Sequence, residues 1–147
     1  MITLICGHLG CGKTTYSRKL GIRRLSVDET MLKRYPPYLG DAHEAIAAQV
    51  KAELLEEAAR SEEDIVLDWG FPRRSERDAV REFFAARGKE VRFLWLDIPD
   101  EEIRRRREAR NANLPPDAYF IDENLARKCD GMFEPPQADE DMIRITE

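Results

Sequence analysis

Hydrophobic residues along the 147-residue chain are concentrated in five short runs, each four to six residues long. The runs at 64–67 and 91–96 are almost continuously apolar, as in strands that are buried on both faces of a sheet. The pattern therefore predicts five strands, at Ile2–Cys6, Arg24–Val27, Asp64–Leu67, Val91–Leu96 and Met142–Ile145.

Amphipathic segments lie between these runs and predict helices. In the longest, residues 41–64, apolar side chains recur at every fourth position. The segment 75–88 has Ser75 as its predicted N-cap and Gly88 as its stop. The segment 99–111 opens with a proline and acidic residues and ends in arginines, which complements the helix dipole at both ends.

Strands that alternate with helices predict a parallel sheet with right-handed crossovers and helices on both faces. Ligands of such sheets bind beyond the carboxyl ends of the strands, so the residues that directly follow each strand are the candidates for function. The chain has no internal repeat, and its length predicts a single domain over residues 1–147.

The loop after the first strand carries the strongest signal. Residues 7–14, GHLGCGKT, match G-x-x-x-x-G-K-[ST] in full, between a predicted strand and a predicted helix. Such a loop turns its backbone amides into a nest for phosphate oxygens, and the helix N-terminus adds its dipole. Lys13 is expected to bridge the β- and γ-phosphates of ATP, and Thr14 to bind Mg²⁺. The alternative, a turn that binds nothing, requires a chance match of the whole motif. Nucleotide contacts are predicted at Gly7, His8, Leu9, Gly10, Cys11, Gly12, Lys13, Thr14 and Thr15.

Two carboxylates follow predicted strands. Asp28 comes directly after Val27, where it is placed to accept a proton from an attacking hydroxyl group; as an alternative, it caps the next helix. Asp68 follows the third strand and is placed to hold Mg²⁺, usually through water. The sequence leaves open which of the two is the general base.

The turn after the third strand places aromatic side chains next to arginines. Trp69 and Arg74 are predicted to border a pocket for the phosphate acceptor, because such groups bind planar or anionic molecules. The alternative has Trp69 in the core, with Arg73, Arg74 and Arg77 in solvent.

An arginine run follows the fourth strand. Arg106 and Arg110 are one helical turn apart and share a face, so they are candidates for stabilising the charge that develops in phosphoryl transfer. A solvated helix face is the alternative for this pair. Arg104, Arg105 and Arg107 are expected to be exposed to solvent.

Composition limits the partners. The formal net charge of −5 weakens the case for broad nucleic-acid binding, which relies on neutralising phosphates. The three cysteines have neither metal-ligand nor disulfide spacing, which is typical of a reducing compartment. The first apolar run is too short for a signal peptide, and none approaches a membrane span. A cytoplasmic protein without a membrane partner is expected.

Five segments, GHLGCGKTT, VDETMLKRY, VLDWGFPRRSERDAV, LWLDIPDEEIRRRREARN and FEPPQADE, together resemble the small P-loop kinases related to zeta toxins, chloramphenicol phosphotransferase and polynucleotide 5′-kinases. The resemblance runs through essentially the whole chain. It implies a five-stranded parallel sheet in the order 2-3-1-4-5 with a helical lid at about residues 100–128. It also implies that Asp28 is the general base, that Arg106 and Arg110 belong to the lid, and that Glu134, Pro135 and Pro136 lie near the adenine.

The expected function is an ATP- and Mg²⁺-dependent kinase that phosphorylates a hydroxyl group of a small molecule. Its predicted catalytic residues are Lys13, Asp28, Arg106 and Arg110. Two alternatives remain open: a nucleotide-binding module or ATPase without an acceptor, and a nucleic-acid 5′-hydroxyl kinase, which the net charge disfavours. The sequence defines neither the acceptor nor the oligomeric state.

Overall fold

The computed structural model describes residues 1–116 and 118–146. In this part of the chain, five parallel strands form one sheet in the order β2-β3-β1-β4-β5. The strands are β1 (Ile2–Cys6), β2 (Arg23–Ser26), β3 (Ile65–Asp68), β4 (Val91–Leu96) and β5 (Met142–Ile145). The predicted fold class and strand order are confirmed, and the predicted strand bounds are shifted by at most one residue.

Strand β1 is the centre of the sheet. All five of its residues are buried, and Leu4 pairs with Leu67 of β3 on one side and with Phe93 of β4 on the other. Because all the strands are parallel, their carboxyl ends share one edge, and the loops after β1, β2, β3 and β4 leave the sheet side by side.

Helices cover both faces of the sheet. They are α1 (Lys13–Lys19), α2 (Val27–Arg34), α3 (His43–Arg60), α4 (Arg74–Ala85), α5 (Asp100–Ala112) and α6 (Glu123–Met132), with a 3₁₀ turn at Gly40–Ala42. Helices α2, α3 and α4 pack on one face through buried residues such as Met31, Val50 and Phe84. Tyr16 of α1 and Ile103 of α5 pack on the other. None of the helices in the described residues is both long and apolar enough to cross a membrane.

The predicted stop of α4 is confirmed and its predicted cap is wrong. Gly88 has a left-handed conformation with φ of 69°, and the chain turns there after the helix ends at Ala85. Helix α4 begins at Arg74, so Ser75 already lies in its first turn and caps nothing. The turn that leads into α4 is held instead by Arg77.

Arg77 and Glu140 form a fully buried ion pair that joins the turn after β3 to the loop before β5. The Arg77 side chain is 0 % exposed, and its Nε and Nη2 atoms donate to the two Glu140 carboxylate oxygens at 2.7 and 3.1 Å. Nη1 also donates to the Phe71 carbonyl oxygen at 2.9 Å. The Gln137 amide donates to Glu140 at 2.7 Å. Arg77 is therefore neither a substrate ligand nor solvated.

Burial by itself would raise the pKa of Glu140, but the hydrogen bonds from Arg77 and from the Gln137 amide lower it to about 2. The carboxylate is therefore ionised throughout the neutral range. Because the folded-state pKa lies below the ordinary value of 4.5, the pair stabilises the fold above about pH 4.5. That stabilisation is lost as the pH falls toward 2.

We expect Glu140→Gln to lower the free energy of unfolding at pH 7 by about 3 kcal/mol, because it leaves the Arg77 charge buried without a counter-ion. Urea denaturation at pH 7 and pH 3 measures the effect, and the difference between wild type and variant should shrink at the lower pH. Asp139→Asn, which removes an exposed bidentate pair with Arg74, is the matched control and should cost much less. Equal losses in the two variants would contradict a special role for the buried pair.

Candidate active site

The phosphate loop leaves the carboxyl end of β1 and runs into α1, which begins at Lys13. Gly10 and Gly12 have φ values of 77° and 107°, a region that other residues rarely adopt. A side chain at Gly7 would place its Cβ 2.7 Å from the Cys11 Sγ atom. The glycines of the motif are thus required by the conformation of the loop, independently of any ligand.

Lys13 curls back over this loop. Its Nζ atom donates to the Gly7 carbonyl oxygen at 3.2 Å and to the His8 carbonyl oxygen at 2.6 Å. The ammonium group is therefore held at the mouth of the loop, where a phosphate group would meet both it and the N-terminus of α1.

Gly70, in the turn after β3, supports the loop from below and was not singled out from the sequence. The Gly7 amide donates to the Gly70 carbonyl oxygen at 3.2 Å. A Cβ at position 70 would lie 3.0 Å from the Gly7 carbonyl oxygen and 3.6 Å from Cε of Lys13. A larger residue at this position would force the neighbouring backbone or Lys13 to shift. Its position directly after Asp68-Trp69 was the signal available in the sequence.

The same turn carries backbone strain. Phe71 is a non-glycine residue with a positive φ of 45°, and its side chain is completely buried. It stacks on Trp69 with ring centroids 5.1 Å apart and meets Phe93 edge-on at 5.4 Å. The core packing holds this conformation, and strain of this kind clusters at functional sites.

Asp28 does not cap the helix that contains it. Ser26 is the N-cap of α2, and its Oγ atom accepts the Glu29 amide at 3.3 Å. The sequence alternative in which Asp28 is the cap is therefore wrong. Within the described residues, the Asp28 carboxylate takes part in no hydrogen bond or ion pair, which leaves it available for a ligand.

The Asp28 carboxyl group lies among groups of α1, α3, α5 and the end of β3, a region that we call the Asp28 cleft. Its side chain is exposed, yet protein groups crowd around it, and the resulting desolvation raises its pKa. Electrostatic interactions with Arg110, Lys13 and His43 oppose that shift, and the interaction with Asp68 adds to it. These four residues come from three helices and the end of a strand, so the fold brings them together around one carboxylate.

Asp68 has a different environment. It is 6 % exposed, and its Oδ2 atom accepts from Arg24 Nη1 at 2.7 Å and from Ser17 Oγ at 3.3 Å. Asp68 is therefore engaged by a guanidinium group, whereas Asp28, within the described residues, is not. Ser17 also donates to the Thr14 carbonyl oxygen at 2.9 Å, so Asp68 and the first turn of α1 are linked through one hydroxyl group.

Thr14 and Asp68 fit a magnesium site of the P-loop type. Mg²⁺ prefers oxygen ligands and keeps several waters, with phosphate oxygens supplied by the substrate, so one hydroxyl and one carboxylate suffice from the protein. In the described part of the chain, no group of three or more His, Cys, Asp or Glu side chains is arranged to hold a metal by itself.

Arg110 and its neighbours flank the Asp28 cleft from the side of α5. The Nη2 atom of Arg110 donates to the Tyr119 carbonyl oxygen at 2.6 Å. The Asn111 side chain forms two hydrogen bonds with the Ile121 backbone, at 2.6 and 2.8 Å. These bonds hold the segment after α5 so that the Tyr119 ring meets His43 of α3 edge-on, with centroids 6.0 Å apart. No motif in the sequence had pointed to Tyr119 or His43.

Arg106 and Arg107 both contact the phosphate loop. Arg106 donates to the Cys11 carbonyl oxygen, and Arg107 donates through Nε to the Leu9 carbonyl oxygen at 2.7 Å. The expectation that Arg107 is exposed to solvent is wrong, since its side chain is 13 % exposed. A signal was present: buried Ile103 lies three and four residues before these arginines, on the same helix face.

Trp69 and Arg74, predicted to border the acceptor, lie elsewhere. Trp69 is 8 % exposed and belongs to the core, where it stacks on Phe71. Arg74 forms a bidentate pair with Asp139, with both distances 2.7 Å. The structure therefore does not show either side chain at the Asp28 cleft, and packing and surface pairing explain their positions.

The segment that contains Glu134, Pro135 and Pro136 begins next to the phosphate loop, and its position near an adenine stays a prediction. The ring of Phe133, directly before it, lies 4.0 Å from the His8 ring. The Glu134 amide donates to the Pro72 carbonyl oxygen at 2.7 Å, which fixes the start of the segment.

Comparison with known proteins places this geometry in a wider group. A family model described as "AAA domain" matches residues 2–136. The fold is similar to that of a sugar kinase from Janibacter sp., with a TM-score of 0.67, 23% identity, and coverage of 99% of this chain and 84% of that chain. A gluconokinase from Sinorhizobium meliloti has a TM-score of 0.67 and 19% identity, with coverage of 98% of this chain and 81% of that chain. Kti12 from Chaetomium thermophilum, solved with ADP-AlF3, has a TM-score of 0.73 and 14% identity, with coverage of 99% of this chain and 89% of that chain. At these identities the likeness concerns the fold. A comparison with curated proteins finds no match.

We expect Gly70→Ala to weaken the binding of ATP·Mg²⁺ by about tenfold, or about 1.4 kcal/mol, because the new Cβ forces the Gly7 carbonyl group or Lys13 to move. Isothermal titration calorimetry measures the affinity. Gly131→Ala is the control: nothing lies within 4 Å of its Cβ position, and it should stabilise α6 by about 0.5–1 kcal/mol without changing the affinity. Unchanged affinity in Gly70→Ala would show that the loop tolerates the displacement.

Proposed function

The chain belongs to the AAA domain family, and on that premise we propose that it is a kinase that uses ATP and Mg²⁺ to phosphorylate a hydroxyl group of a small molecule. The observation that carries the proposal is the position of Asp28. A carboxylate without a hydrogen-bond partner in the described chain shares one cleft with Lys13 of the phosphate loop and with Arg110 of α5. A module that only binds nucleotide has no need of a base at that point.

The phosphate loop and Lys13 would bind the triphosphate of ATP, with the amides of the first turn of α1 completing the nest. The segment from Glu134 to Pro136 would lie against the base. Thr14 and Asp68 would hold Mg²⁺, which supplies charge neutralisation at the β- and γ-phosphate oxygens when it is bound.

Asp28 would accept the proton of the acceptor hydroxyl group as that oxygen attacks the γ-phosphorus. The bond between the γ-phosphorus and the β,γ-bridging oxygen breaks, ADP leaves, and the product is a phosphate monoester. Because desolvation raises the pKa of Asp28, this carboxylate would be a stronger base than an ordinary aspartate once it is ionised. Arg106 and Arg110 would stabilise the charge on the transferred group.

The acceptor would bind between Asp28 and the edge-on pair of His43 and Tyr119. Both rings lie close enough to Asp28 to interact with it: His43 lowers the pKa of Asp28, and burial together with the Asp28 charge raises the pKa of Tyr119. Two rings and a carboxylate suit a small polar molecule with several hydroxyl groups. The named activities of two structural neighbours, a sugar kinase and a gluconokinase, support the same class.

We further propose that the protein stands near the zeta toxin, chloramphenicol phosphotransferase and polynucleotide kinase group, with α5 and the segment after it serving as the lid. The net charge of −5 supports a small acceptor rather than a nucleic acid. The cysteines Cys6, Cys11 and Cys129 are free, which suits a reducing compartment such as the cytoplasm.

The direct test is ADP release from ATP·Mg²⁺ with and without pooled acceptors: sugars and sugar acids, nucleosides, aminoglycosides, and a 5′-hydroxyl oligonucleotide. We expect stimulation by a pool of small polyhydroxylated molecules, because the cleft offers a base and hydrogen-bonding rings. Stimulation by the oligonucleotide alone, with a steep salt dependence, would favour the nucleic-acid kinase. Release that no pool changes would favour an ATPase or a binding module and would contradict the proposal.

We expect Asp28→Asn to retain ATP affinity and to lose at least about 10²-fold in kcat, because the general base is removed while the phosphate loop is untouched. The pH dependence of kcat/KM gives a second reading. Since the pKa of Asp28 is raised and the ionised form is active, the acidic limb of the wild-type profile should lie above the ordinary aspartate value of 3.8. Activity should rise with pH through that limb.

Asp141→Asn, which alters an exposed carboxylate before β5, is the matched control and should behave as the wild type. Near-normal transfer by Asp28→Asn would remove Asp28 from the role of base.

A further inference from the structure

We propose that Asp130 of α6 is a positioning residue that holds the phosphate loop in its nucleotide-binding conformation, acting through Arg107 and His8. The inference rests on the proposed function, since it presupposes that the loop binds ATP. Asp130 itself lies outside the loop motif and outside the Asp28 cleft, and nothing in the sequence pattern had distinguished it from other surface carboxylates.

The contacts of Asp130 converge on two consecutive residues of the loop. Its carboxylate accepts from both terminal nitrogens of Arg107, at 3.0 and 2.7 Å, and lies 2.9 Å from the Nδ1 atom of His8. The same guanidinium group donates through Nε to the Leu9 carbonyl oxygen at 2.7 Å. One carboxylate thus orients both a loop side chain and the arginine that binds the loop backbone.

The bond to the Leu9 carbonyl oxygen determines where the next amide points. A peptide unit is planar, and in its trans form the N–H and C=O groups point in opposite directions. With the Leu9 carbonyl group directed at Arg107, the Gly10 amide is directed away from α5, and the bond from Arg106 to the Cys11 carbonyl oxygen does the same for the Gly12 amide. Alternate amides of the loop are therefore aligned in one direction, as a phosphate nest requires.

The contact between Arg107 and the loop is close as well as directional. A Cβ at Gly10 would lie 2.7 Å from Cγ of Arg107, so the arginine side chain packs directly on the loop backbone. On the side of His8, the ring of Phe133 lies 4.0 Å away at an angle of 34°. The first half of the loop is thus enclosed by α5, by the end of α6 and by Phe133.

Asp130 is poorly placed to serve its own helix. It lies in the last turn of α6, where the negative end of the helix dipole disfavours a carboxylate. The hydrogen bonds from Arg107 nevertheless hold its pKa below the usual range, against the opposing effect of burial. The interactions with the loop outweigh the unfavourable helix position, which indicates that the residue acts on the loop rather than on α6.

The consequence is pre-organisation. A loop whose amides are already aligned does not have to be ordered when ATP binds, so less of the binding free energy is lost. Asp130 does not contact the groups around Asp28 that would carry out transfer. Its removal should therefore weaken ATP binding with little effect on kcat.

The test compares Asp130→Asn with the wild type, with ATP·Mg²⁺ as the ligand in isothermal titration calorimetry and steady-state kinetics. The asparagine side chain has nearly the same shape, but it has only one oxygen and cannot form the two parallel hydrogen bonds with the terminal nitrogens of Arg107. We expect the Kd and KM for ATP to rise about tenfold, with kcat and the KM of the acceptor within about twofold of wild type. The midpoint temperature of thermal unfolding without nucleotide should be unchanged or slightly higher than in the wild type, because a carboxylate is removed from the C-terminus of α6.

Asp97→Asn is the matched control, since it removes another aspartate that pairs with an arginine, Arg144, but does not contact the loop. Arg107→Lys provides a second variant, which cannot form the bidentate pair and should raise the Kd for ATP by a similar factor. An ATP affinity in Asp130→Asn within twofold of the wild type, or a loss matched by Asp97→Asn, would overturn the inference. A wild-type protein that does not bind ATP·Mg²⁺ would instead overturn the proposed function.

Discussion

The hydrogen bond from the Gly7 amide to the Gly70 carbonyl group is the contact on which the rest of the site depends. It joins the loop after β1 to the turn after β3 so closely that a Cβ on Gly70 would lie 3.0 Å from the Gly7 carbonyl oxygen. The approach holds Lys13 over the loop and places Asp68 beside α1. It also accompanies the left-handed conformation of Phe71, which the aromatic core must stabilise. Close packing between two strands is thereby converted into a defined site for an anion.

The two carboxylates near this contact, Asp68 and Asp28, have different environments, so they suit different roles. Asp68 is buried and shares the guanidinium group of Arg24 with Glu29. Asp28 has no such partner in the described chain because Ser26 caps its helix, and crowding in the cleft raises its pKa. Two similar residues at the same edge of the sheet thus become a candidate metal ligand and a candidate base.

The arginines of α5 are divided in a similar way. Arg106 and Arg107 contact carbonyl groups of the phosphate loop, whereas Arg110 holds the Tyr119 segment next to Asp28. All three lie on the helix face that continues from buried Ile103. A helix that covers the sheet with its first turn therefore reaches both parts of the site with the turns that follow. Helix α5 thus contacts both the phosphate loop and the segment next to Asp28.

The sequence by itself determined the positions of the strands and of the phosphate loop, because these depend on local periodicity and on a motif of contiguous residues. It also determined the strand order, through the resemblance to a known family. It placed Asp28 and Asp68 near the carboxyl ends of β2 and β3, where Asp68 is the last residue of β3 and Asp28 lies in the first turn of α2. The sequence did not distinguish the roles of the two carboxylates. It wrongly predicted that Ser75 caps α4 and that Arg107 is exposed, and it left the burial of Arg77 undecided. Cap choice and burial depend on partners far along the chain. The pairs Arg77–Glu140 and Arg107–Asp130 join residues 63 and 23 positions apart. Only the tertiary structure decides such pairs, because a charged side chain is buried or exposed according to whether the fold brings it a counter-ion.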